Sequence, residues 1–128
     1  MLHRVNLFDY AIGNIKAIAN PRAHLLRLKP SALSKCQIKT TKSVDVLFVG
    51  SITPRRAQLL EEIKKTGLTV RVRFDLGGQQ LVDEIVNAKI YLNLHSFEEP
   101  IIEAMRFGQV DGLDTLLFTE LSPNCDFE

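Results

Sequence analysis

The sequence predicts an α/β domain built on a doubly wound, mostly parallel sheet, and three stretches carry that expectation. Residues 46–49 form a continuous apolar run ending on Gly50-Ser51, the pattern of a strand buried on both faces of a parallel sheet. Ala57, Leu60 and Ile63 then recur at helical spacing, and residues 90–94 supply a second buried run. Strand and helix alternate, which calls for βαβ units with right-handed crossovers.

The helix after Gly50 opens at Thr53-Pro54, an N-cap residue followed by the residue best suited to the first helical position. Glu61 has a partner one turn on in Lys65, and Gly67 supplies the stop. Val70, Arg71, Val72, Arg73 and Phe74 alternate apolar with basic, which places their strand at an edge of the sheet. After Gly77-Gly78, the residues Leu81, Val82, Ile85 and Val86 mark an amphipathic helix ending near Ala88. Behind the run at 90–94 another helix starts at Ser96, Glu99 or Pro100, buries Ile101, Ile102, Ala104 and Met105, and stops at Gly108. Residues 115–119 read as the last strand. Upstream, 5–8 and 23–28 read as strands around a helix at 12–19, and 29–43 as a polar, basic connector. Residues 1–43 are thus an amino-terminal segment and connector, and 44–128 the sheet proper, in one domain.

With 128 residues, 45% hydrophobic and 24% charged, and a mean hydropathy of +0.02, the chain has globular composition. Its apolar runs fall short of the roughly 18 residues a spanning helix needs, so no membrane partner is expected. His3, Arg4, Asp9, Asn14 and Lys16 interrupt the first twenty residues, which argues against a signal peptide. Cys36 and Cys125 are far apart and lack CxxC spacing; neither a disulfide framework nor a zinc site is expected, and a cytoplasmic location is the default. Residues 1–43 hold eight Lys or Arg against the single acid Asp9, a charge of +7 that leaves −6 for the rest. No aromatic residue lies between 11 and 47 for a base to stack on, so nucleic acid is not the expected partner; the basic segment packs beside the acidic body or is solvated.

In a doubly wound sheet, ligands collect outside the carboxyl ends of the strands, near the switch in strand order. That rule selects Gly50, Ser51, Asn93, His95, Ser96 and Glu120. Arg55 and Arg56 add cations to the first turn of a helix whose positive end attracts anions; the alternative is a glycine turn with two solvated arginines. Asn93 and His95 share one side of their strand, and His95 either donates to a phosphate or sugar hydroxyl or is a satisfied structural residue. Glu103 and Arg106 are three apart: a surface ion pair, or a carboxylate that accepts ribose hydroxyls beside a nucleotide pocket. No metal-ligand cluster, catalytic triad or cofactor motif stands out, so no cofactor is expected.

Together DVLFVGS (45–51), PRR (54–56), AKIYLNLH (88–95), EAMR (103–106) and FTE (118–120) resemble the carboxyl-terminal domain of glycosyltransferases of the spore-maturation CgeB-like group. Phe8-Asp9-Tyr10 and Asn14-Ile15 are similar to the stretch where that family's first domain ends. The family has the GT-B architecture of two Rossmann-like domains, the second of which clamps a nucleotide sugar. The resemblance implies that Gly50, Ser51 and Arg56 face the diphosphate and Glu103 the ribose, with His95 in the same pocket. The chain departs from the pattern in three ways. Glu98 and Glu99 precede Glu103 by five and four positions rather than eight, residues 108–114 form a polar insertion, and the acceptor domain is not encoded. The resulting expectation is a reduced donor-binding module for a nucleoside diphosphate or nucleotide sugar that does not transfer sugar alone. The alternatives are a structural or interaction protein with a decayed pocket, and an intact glycosyltransferase. A sheet that ends early is expected to be covered by a second copy, giving a homodimer.

Overall fold

The alternating pattern is realised in a computed structural model that describes residues 6–9, 12–26, 39, 41–96 and 105–121. The amino-terminal segment forms β1 (Leu7–Asp9), α1 (Ile12–Ile18) and β2 (Ala23–Leu25), with β1 and β2 paired in parallel as a separate two-stranded sheet. Then follow β3 (Val44–Val49), α2 (Pro54–Lys65), β4 (Val70–Arg73), α3 (Gly78–Val86), β5 (Ala88–Asn93), α4 (Met105–Val110) and β6 (Leu116–Thr119). These four strands make one parallel sheet in the order β4-β3-β5-β6, with Leu47 beside Tyr91 and Tyr91 beside Leu117. The chain is therefore an α/β protein with a parallel sheet, and β4 lies at an edge as its alternation required.

Both faces of the central strands are covered, which is why the middle of β3 and of β5 reads as an apolar run. Val46, Phe48, Leu92 and Leu94 pack with Leu60 of α2, joined by Leu59 and Ile63. Val44, Leu47, Val49 and Tyr91 pack on the other face with Ile85 of α3, joined by Leu81 and by Val110 of α4. With α2 on one face and α3 and α4 on the other, the sheet is doubly wound. The order reverses between β3 and β5, so the switch point sits at the carboxyl ends of those two strands.

The Thr53 hydroxyl accepts the Arg56 amide and Pro54 opens α2, while Gly67 takes a φ of +88° after its end. Helix α3 ends at Val86, near the expected Ala88, which is fully buried as the first residue of β5. Three local readings need correction. Glu61 pairs with Lys64 rather than Lys65, at 2.6 Å, because three residues also bring side chains onto one face. Helix α4 runs through Gly108 to Val110, and Val110 and Leu113 pack against the core, so the segment at 108–114 is not merely a polar insertion. Met105 is 55% exposed instead of buried. Ile101, Ile102 and Ala104 lie outside the described residues.

Where the basic connector is described, it docks on the body. The Lys42 ammonium donates to the carbonyls of Val86, Ala88 and Asp114 and to the Thr115 hydroxyl, and Lys39 donates to Asn87 Oδ1. At that same amino end of the sheet, Asp45 accepts from Thr69 and Lys89. Among the described residues no helix is long and apolar enough to cross a membrane.

Candidate functional site

Strand carboxyl ends leave carbonyls that the sheet ladder no longer uses, and three arginines take them up here. Arg56 is 2% exposed; its Nε and Nη2 donate to the Leu94 carbonyl at 3.1 and 2.6 Å, and Nη1 donates to the Ser51 carbonyl at 3.0 Å. Arg106 is 8% exposed, with Nη2 donating to the Val49 carbonyl at 2.7 Å and Nη1 to the Tyr91 hydroxyl at 2.8 Å. Arg55 donates through Nη1 to the His95 carbonyl and through both terminal nitrogens to the Glu120 carboxylate. The first-turn arginines are therefore not simply solvated, and Arg106 is buried rather than a surface group; a charge buried this deeply is retained only with such hydrogen bonds. Glu103 lies outside the described residues.

Gly50 is the hinge of this arrangement. Its φ of +150° disfavours any side chain, and a Cβ there would lie 3.3 Å from Arg106 Nη2 and 3.4 Å from Phe48 Cζ. The absent side chain lets two guanidinium groups approach one ring, Arg56 at 5.2 Å and Arg106 at 5.9 Å from the Phe48 centroid. Ser51 follows as an exposed residue at the mouth of α2.

On β5, Asn93 is fully buried and its Nδ2 donates to Thr119 Oγ1 at 3.1 Å, while His95 is 5% exposed. Among the described residues, Asn93 Oδ1 and His95 Nε2 have no hydrogen-bond partner. These two buried atoms lie two residues apart at the switch point of the parallel sheet. Glu120 closes the far side: its Oε2 accepts the His95 amide at 2.6 Å, and its own amide donates to the Asn93 carbonyl. The structure thus gathers Gly50, Ser51, Arg55, Arg56, Asn93, His95, Arg106 and Glu120 at one end of the sheet. Phe48, Tyr91 and Gln109 belong there too and were not read from sequence; a tyrosine inside an apolar run was the available signal, since its buried hydroxyl demands a partner. Among the described residues no group of His, Cys, Asp or Glu is placed to hold a metal ion.

Arg55, against some opposition from burial and with help from the His95 amide, holds the Glu120 carboxyl below its ordinary value of 4.5. A depressed folded-state pKa stabilises the fold above the unfolded-state value and loses that contribution as pH falls through the folded one. The urea midpoint is therefore expected to decline below about pH 5, and Glu120→Gln to flatten that decline. Equal acid limbs for both proteins would show that Glu120 does not contribute to it.

No family model matches the chain, and no solved structure matches it. Over 112 residues it is 31% identical to "Uncharacterized protein L137" of Acanthamoeba polyphaga mimivirus, which covers 81% of this chain and 15% of that protein. From the same virus, "Uncharacterized protein L138" is 29% identical over 81% of this chain and 13% of its own length, and "Uncharacterized protein L140" 28% identical over 73% and 33%. The chain spans a third or less of the length of these relatives.

Proposed function

We propose that the chain is a binding module for a nucleoside diphosphate or nucleotide sugar, similar to the donor half of a GT-B glycosyltransferase and not transferring sugar on its own. The observation that carries this reading is the pair of buried, unpartnered polar atoms, Asn93 Oδ1 and His95 Nε2, at the switch point beside the Gly50-Ser51 turn. A diphosphate at the mouth of α2 meets the Ser51 hydroxyl and the positive end of a 12-residue helix, with the guanidinium groups of Arg55 and Arg56 behind it. Arg56 then acts by holding the turn in place, since its nitrogens already donate to Ser51 and Leu94. Glycosyl transfer needs donor and acceptor held together, so the isolated chain binds without turning over.

Calorimetry and thermal unfolding with uridine, guanosine and thymidine diphosphates and their sugar conjugates test this. A dissociation constant of about 0.1–1 mM is expected for at least one ligand. A hundredfold excess over that constant then adds about 2.7 kcal/mol and raises the melting temperature by several degrees. His95→Ala should weaken that ligand about tenfold, roughly 1.4 kcal/mol, in a chain that still unfolds cooperatively. Absence of binding by every nucleotide at millimolar concentration would overturn the reading.

A second reading, self-association, is favoured by one further observation. Leu116 and Phe118 of the edge strand β6, and Leu121 after it, are all exposed. An apolar edge of this kind is a surface that a second copy covers. A dimeric mass by light scattering at tens of micromolar, reduced to the monomer by Phe118→Lys, is the expected result; a monomeric wild type would refute it.

A further inference from the structure

A cavity of about 260 Å³ opens on the α3 and α4 side of the sheet, directly beside the Gly50-Ser51 turn. Leu76, Leu81 and Met105 give it apolar walls, and Tyr91, Arg106 and Gln109 supply its polar lining. It lies below the roughly 300–1,000 Å³ of pockets that enclose a whole drug-sized ligand, so it suits one ring rather than an entire nucleotide sugar.

The polar lining has a direction. A guanidinium can only donate, and Arg106 Nη1 donates to the Tyr91 hydroxyl at 2.8 Å. The phenol sends its own proton to Gln109 Oε1 at 3.0 Å. The carbonyl end of the Gln109 amide is thereby used, and its NH₂ end is the one left to donate. Arg106 joins this relay to the turn, because its other terminal nitrogen holds the Val49 carbonyl and lies 3.3 Å from where a Gly50 Cβ would be.

We infer that the cavity receives the base of the nucleotide and that Gln109 selects a base whose edge carries a carbonyl oxygen over one that carries an amino group there. This rests on the nucleotide-binding reading above and adds to it a specificity-determining residue. An apolar slot takes the faces of a heterocycle, and an oriented amide donor at its side pairs with a keto oxygen but not with an exocyclic amine. Uridine and cytidine diphosphates differ at that edge in this respect and are the natural probes.

The experiment is calorimetric titration of the full chain with uridine diphosphate, cytidine diphosphate and inorganic pyrophosphate. The wild type should bind uridine diphosphate about five- to tenfold more tightly than cytidine diphosphate. Gln109→Leu should bring the ratio to about one, and Gln109→Glu, which turns the donor into an acceptor of the same shape, should reverse it. Pyrophosphate binding should change little in Gln109→Leu. Three results overturn the inference while leaving the parent reading intact: nucleotides binding no more tightly than pyrophosphate, a wild-type ratio near one, or an unchanged ratio in both variants. Failure of all three ligands to bind the wild type overturns the parent reading and this inference with it. The wild-type ratio alone decides the matter if either variant fails to fold.

Discussion

Replacing Arg56 with alanine is expected to lower the unfolding free energy by about 3–5 kcal/mol, a large share of the stability of a small domain. The change removes the guanidinium that satisfies the carbonyls of Leu94 and Ser51 and leaves both acceptors at the sheet end without it. It also removes the cation resting on the Phe48 ring. Lysine restores the charge but carries a single nitrogen where Arg56 uses three, so Arg56→Lys should recover less than half of the loss. Urea titration with an unchanged slope is the measurement. A loss under about 1 kcal/mol would mean that the turn and β5 hold together without this clamp.

Phe48→Ala should cost about 3–5 kcal/mol, because a fully buried ring is lost between α2 and the sheet. The informative partner is Phe48→Leu, which keeps much of the volume but not the aromatic face beneath two guanidinium groups. Packing alone predicts a loss below about 1.5 kcal/mol for that change. The two cations add about 0.5–2 kcal/mol each at a site this dry. A Phe48→Leu loss confined to the packing value would show that the stacking contributes nothing.

Most of the fold was legible because its signals are local. Residues 46–49 are a continuous apolar run and 90–94 a mostly apolar one, Thr53-Pro54 is a helix start, and the basic alternation of β4 marks an edge. The separate pairing of β1 with β2 was not legible, since strand partners are chosen by non-local packing. Helix α4 passes through Gly108 because Val110 gains a place in the core beyond it, a tertiary contact that outweighs the weak helical preference of glycine.

The position of the candidate site was legible from the switch-point rule, but the job of each arginine was not. Arg55 and Arg56 look alike as neighbours in a sequence. On a helix they are about 100° apart, and Arg56 shares its stripe with Leu60 and Ile63, four and seven residues on, which turns it into the core. In the same way Arg106 stands four residues before Val110. Read as members of apolar stripes rather than as charges, both arginines announce their burial. Gln109 gave no such sign, because its orientation depends on a tyrosine 18 residues away.

Lys42 and the arginine clamps occupy opposite ends of β5, whose six residues span roughly 20 Å. Changes that far apart, sharing no partner, act on the free energy independently and their effects add. The molecule therefore has an anchoring pole and a pole that carries the candidate site, and the two drift separately under mutation. Substitutions in the basic arm tune how firmly the chain is folded and leave the arginine-clamped end of the sheet untouched.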